Sequence, residues 1–138
     1  MAALTDFISL IRPLNAVMAV IGTYIGYALA RGAIVFDLGI LFAILSVFCI
    51  ISAGQSINDY FDVHIDKKQK KTRPLASGRI SAHIALIFSV LLFVLGMVFA
   101  SFLSPLTFQI AVFFSALLFL YSAVMQKIKF VGNAVVAL

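Results

Sequence analysis

Four oxygen-bearing side chains stand close together in this chain: Asn58, Asp59, Asp62 and Asp66, at the head of the run NDYFDVHIDKKQKKTRPLASGRIS. The three aspartates follow an i, i+3, i+7 spacing. On a helix advancing about 100° per residue they share one face within about 60°, with Asn58 at its edge and His64 pointing elsewhere. Three like charges on one face repel and need compensation. One reading is a solvated surface neutralised by Lys67, Lys70 and Arg73. The other is a Mg²⁺ site, since Mg²⁺ prefers oxygen ligands and usually takes one or two carboxylates together with phosphate oxygens and waters. A calcium loop starting at Asp62 fails, because Lys67 replaces the glycine at its position 6 and Arg73 the glutamate at its position 12. A zinc site fails too, with His64 alone among carboxylates. If the acids exist to hold metal, removing Asp62 or Asp66 is expected to abolish activity while leaving folding intact.

A basic half follows at once: Lys67, Lys68, Lys70, Lys71, Arg73 and Arg79. An anionic headgroup bridged to the carboxylates through metal and held by arginine forks suits both clusters. The alternative is plain loop charge. Arg73 before Pro74, and Arg79 after Ser77-Gly78, sit in turn chemistry that fixes their position. Lys67–Lys71 reads as generic surface attraction.

The elements that must carry this run lie in a membrane. Of 138 residues, 64% are hydrophobic and 11% charged, against about 25% charged in a soluble domain. With a mean hydropathy of +1.17, this excludes a water-soluble enzyme, a disordered chain and a collagen-like fibre. The single cysteine, Cys49, excludes an internal disulfide scaffold and reads as a small apolar packer. A net charge of +5 does not indicate nucleic acid, because the basic residues fall between membrane-length segments; anionic lipid or phosphate fits better. The fold class is an all-α integral membrane protein, a multi-helix transmembrane bundle. Spans are predicted over about 13–30, 38–57, 80–104 and 105–126, with a polar motif loop at 58–79 and the helix of the second span running on into it. A fifth span is expected to start at 130, so the chain reads as the N-terminal part of a longer protein. Nine of the ten Lys and Arg residues fall on the side of Arg12 and residues 58–79, leaving Arg31 opposite; this predicts a cytoplasmic N-terminus and motif loop. Gly22 and Gly26, and Gly96 with Ala100, read as close helix packing, or as room for a lipid tail. His83 reads as a solvated residue near a helix start.

Residues 58–81 resemble the first aspartate-rich motif of the UbiA superfamily of intramembrane prenyltransferases, N-D-x-x-D-x-x-x-D followed by R-P-L-x-S-G-x-I-S. Arg12-Pro13-Leu14-Asn15 is similar to the R-P-x-N opening that family's first helix. Tyr121-Ser122, with Lys127 five residues before Gly132-Asn133, is similar to the stretch joining its helices 4 and 5. The resemblance implies about nine transmembrane helices around a cavity open to lipid, and a second motif, D-x-x-x-D, in a C-terminal half. No Asp or Glu follows Asp66, so that half must come from the same or another chain. It further implies Mg²⁺ held by Asn58, Asp59, Asp62 and Asp66, with Asn58, Asp62 and Asp66 catalytic. Arg73, Arg79 and Lys127 would bind the diphosphate of a prenyl donor, and Arg12, Asn15 and Tyr121 the substrate. Within the family the motif is most similar to the archaeal branch that transfers geranylgeranyl to geranylgeranylglyceryl phosphate, a lipid-like acceptor. An aromatic acceptor, as in quinone biosynthesis, is the alternative within the class. A non-catalytic membrane protein or cation transporter is the alternative outside it.

Overall fold

A computed structural model describes residues 4–68 and 72–124, and every regular element among them is helical. The chain opens with a short helix, α1 (Leu4–Ile11), that no span-length pattern announces. α2 (Pro13–Arg31) begins with proline at its first position, where a missing N–H costs nothing, and ends on Gly32. Gly32 takes the left-handed conformation (φ 65°). Its N–H and that of Ala33 return to the carbonyls of Leu29 and Ala28, closing the last turn.

α3 (Leu38–Lys68) has 31 residues. At 1.5 Å per residue it is about 46 Å long, against about 30 Å of hydrocarbon. The second span and the aspartate run are therefore one continuous helix, and the acids sit on its overhang. A loop leads to α4 (Ala82–Ser101), capped by Ser81 Oγ accepting from the Ile84 N–H, and then to α5 (Pro105–Ala123), capped by Ser104 Oγ accepting from the Thr107 N–H at 3.0 Å. The third predicted span, 80–104, thus contains a helix that starts two residues later. Ile80 belongs instead to the packed loop, where it is buried against Leu10, Leu75 and Ala85. Four helices, α2 to α5, are long and apolar enough to cross a membrane.

α3 is the central element. Ile50, Ala53 and Ile57 on α3 pack with Phe93 and Ala100 of α4 and Ala111 of α5. It meets α4 tightly at Gly96, whose carbonyl accepts from Ser46 Oγ at 2.8 Å. A methyl group at Gly96 would meet Ile50 Cγ1 at 2.6 Å and the Ser46 carbonyl oxygen at 3.1 Å. The small pair Gly96 and Ala100 does the close packing anticipated for it. Gly22 and Gly26 do not: among the described residues nothing lies within 4 Å of a side chain built at either. Cys49 is buried, and His83 is exposed at the start of α4.

Candidate active site

Asp59 and Asp66 lie on the face of α3 turned toward the α1–α2 junction and the loop after α3. Both are only 2% exposed. A buried carboxylate must be paired and hydrogen-bonded to stay charged, and two arginines do this. Arg73 Nη1 donates to Asp59 Oδ1 at 2.9 Å and to Asp66 Oδ2 at 2.8 Å, so two carboxylates converge on a single guanidinium nitrogen. Arg12 Nη2 reaches the same Asp59 oxygen from the other side. Arg12 is the one described non-glycine residue with positive φ (46°), at the break between α1 and α2. Such a conformation costs about 1–3 kcal/mol and persists only where its surroundings impose it; here it accompanies a guanidinium aimed into the acid cluster.

The helical spacing of the acids places Asp59 and Asp66 on one face, and Arg12 joins Arg73 in compensating them. Among the described residues the paired cations are Arg73 and Arg12, the latter 47 residues away in sequence; Lys67 and Lys68 are exposed at the end of α3. Lys70 and Lys71 lie outside the described residues. Asp62 sits at the edge of the shared face, half-buried, with its Oδ2 accepting from Asn58 Nδ2 at 3.2 Å. The four motif residues thus form two strips: Asp59 with Asp66 under arginine, and Asn58 with Asp62.

Beside them a cavity of about 430 Å³ opens between α3 and α5, with Arg12, Gln55, Asn58, Tyr121 and Ser122 as its polar lining. Ile51 and Leu118 line it too, and both also line an apolar cavity of about 270 Å³ further along the same two helices. A polar chamber that continues into an apolar one suits a molecule with a charged head and a hydrocarbon tail. Arg12 joins the chamber to the acids, lining the first and holding the second. Gln55 carries no motif; its one signal in the sequence is an amide inside an otherwise apolar span, where polar side chains are expensive.

Not every anticipated residue converges here. Asn15 is exposed in the first turn of α2, apart from the lining of the chamber. Arg79 is exposed and pairs through Nε with Asp6 of α1 at 2.9 Å. Lys127 and the start of a fifth span at 130 lie outside the described residues.

Among the described residues no three His, Cys, Asp or Glu side chains are grouped to hold a metal ion. The donor chemistry nonetheless fits Mg²⁺. The available groups are hard carboxylate and amide oxygens, and two carboxylates already close on one cationic centre, the number Mg²⁺ usually takes from protein.

The UbiA prenyltransferase family model matches residues 19–138. The chain belongs to the UbiA prenyltransferase family. Among relatives, the digeranylgeranylglyceryl phosphate synthase of Methanoregula boonei is 38% identical over 131 residues, 95% of this chain and 46% of the relative. That of Methanocaldococcus jannaschii is 38% identical over 136 residues, 99% of this chain and 48% of the relative. A solved structure concerned with digeranylgeranylglyceryl phosphate synthase in membranes superposes with a TM-score of 0.92 at 36% identity, covering 99% of this chain and 49% of its own. This chain therefore spans about half the length of the UbiA-family relatives it matches, and its helices are arranged as in the corresponding half of that neighbour.

Proposed function

We propose that this chain forms the N-terminal half of a Mg²⁺-dependent membrane prenyltransferase that moves a geranylgeranyl group from its diphosphate to geranylgeranylglyceryl phosphate. The observation that carries this reading is the convergence of Asp59 and Asp66 on Arg73 beside a polar chamber that continues into an apolar cavity. The named activity of the relatives agrees with it. The motif loop and the N-terminus face the cytoplasm on this reading, and the second aspartate motif comes from the C-terminal half.

Breaking an allylic C–O bond develops positive charge on the prenyl carbon and negative charge on the departing diphosphate. Mg²⁺, when bound, neutralises that leaving group. Asn58, Asp59, Asp62 and Asp66 supply the oxygens that hold the ion, with Asn58, Asp62 and Asp66 closest to the chemistry. Arg73 and Lys127 offer donors to the diphosphate, and a fork such as Arg73's matches phosphate oxygens in pairs. Arg12, at the head of the chamber, and Tyr121, on its wall, orient the bound molecules; Asn15 contributes at the mouth. The apolar lining keeps water from the electron-deficient carbon, so that the acceptor's hydroxyl oxygen captures it, giving up its proton as the diphosphate departs.

The test is product identification. Purified full-length protein, supplied with Mg²⁺, labelled geranylgeranyl diphosphate and a panel of acceptors, should form a second ether bond on geranylgeranylglyceryl phosphate. Prenylation of an aromatic acceptor in its place would move the protein to another branch of the family, and absence of any transfer would refute the enzyme reading.

A further inference from the structure

Arg79 has the sequence context of an anion ligand, yet its guanidinium is spent elsewhere. Nε meets Asp6 Oδ1 at 2.9 Å, and Nη2 donates to the Thr72 carbonyl at 3.1 Å. Asp6 is 8% exposed, and a carboxylate so buried is normally held there by a partner. The contacts around this pair join α1 to the loop after α3 and to the first turns of α4. Leu10, fully buried, packs with Leu75, Ile80 and Ala85, and the Phe7 ring meets Phe88 edge-on at 5.2 Å. The loop itself is closed by backbone bonds: Ser77 N–H to the Arg73 carbonyl at 2.9 Å, and Arg79 N–H to the Pro74 carbonyl at 3.0 Å. Gly78 takes φ 78° in between, a conformation natural to glycine. Immediately after α1 the chain turns through Arg12, whose side chain grips Asp59.

We propose that α1 is a strap that fixes the loop presenting Arg73, with Asp6 as a positioning residue and Arg79 as its tie, rather than a direct ligand of the diphosphate. The strap holds the acid cluster's surroundings at two places, through Asp6 to Arg79 and through Arg12 to Asp59. Arg79 in turn anchors Thr72, the residue before Arg73. This inference rests on the functional reading above, in which Arg73 meets the diphosphate.

A double-mutant cycle on the full-length protein tests it, with Asp6→Asn, Arg79→Gln and the two combined. KM for the prenyl diphosphate, kcat, and Mg²⁺-dependent affinity for inorganic pyrophosphate are measured for each. Each single variant should raise KM roughly tenfold, the lower end of what loss of an orienting partner costs, with kcat changed less. The double variant should be no worse than either single, because one tie is being cut twice. The charge-swapped pair, Asp6→Arg with Arg79→Asp, should recover much of the lost pyrophosphate affinity. A direct anion ligand behaves differently: Arg79→Gln would lose far more affinity than Asp6→Asn, the losses would multiply, and the swap would rescue nothing. Any of those results overturns the strap, as does a cycle that alters thermal stability alone and leaves KM unmoved. Failure of the functional reading looks different again, since wild type itself would then show neither turnover nor Mg²⁺-dependent pyrophosphate binding.

Discussion

Among the described residues, Arg12 and Arg73 both donate to Asp59, Arg73 donates to Asp66 as well, and the Asn58 amide donates to Asp62. These pairings reverse an argument that repulsion alone suggests. Three bare carboxylates would gain stability from losing one of their number, whereas Asp59 and Asp66 are already paired with arginine, so deleting either strands a partner. Asp66→Ala should cost about 2 kcal/mol, below the range for fully buried pairs because Arg73 is about one-third exposed and keeps Asp59. Asp59→Ala should cost more, since Arg12 and Arg73 both lose the oxygen they share. Thermal unfolding of the two full-length variants in detergent checks this, and unfolding midpoints equal to wild type would mean that the arginine pairs contribute nothing. On the proposed function, Asp62→Ala and Asp66→Ala both lose turnover.

Two contacts decide how the helices sit. At Gly96 the backbone of α4 rests on Ile50 and Ser46 of α3. Gly96→Val should therefore destabilise by about 1–3 kcal/mol through overpacking, since a backbone carbonyl cannot swing aside as a flexible side-chain end can. Denaturant titration of the purified variant measures this. At the start of α3, Asp37 accepts from the Ile40 N–H at 2.9 Å and from the Tyr27 hydroxyl, with Arg31 adjacent. The Ile40 N–H, then the Tyr27 hydroxyl and Arg31, hold the Asp37 carboxyl below the usual carboxylate range. A carboxyl whose folded pKa is depressed contributes stability above its unfolded pKa of about 3.9 and loses it as pH falls through the lower folded value. Wild type should thus lose this modest contribution to stability on acidification below about pH 4, and Asp37→Asn should lack it at higher pH while matching wild type below. Unfolding midpoints at pH 3 to 7 separate the two; identical pH profiles would show that Asp37 is not the group responsible.

At the scale of the whole molecule, the proposed orientation has a direct check. Ser77 lies exposed in the loop between α3 and α4, so Ser77→Cys should react with a membrane-impermeant thiol reagent only after the cytoplasmic face is opened. Ready labelling of intact cells would invert the topology. Much of this architecture was legible from residue order alone. Apolar runs of membrane length must be helical because lipid offers the backbone no other hydrogen-bond partner. The i, i+3, i+7 aspartates had to share a face once α3 continued past the membrane, and the motif itself identifies the family. These properties depend on near neighbours in the chain and on solvent. Which cation answers each acid does not. Arg12 reaches Asp59 across 47 residues because α1, too short to register as a span, docks through Leu10 and Phe7 and turns the chain at a left-handed arginine. Arg79 went to Asp6, not to the acid cluster, for the same reason, and Gly22-Gly26 stayed unpacked among the described helices while Gly96 did not. Pairings of this kind are settled by which surfaces the packed helices bring within a few ångströms, a property of the tertiary structure that the spacing of charges along the chain does not contain.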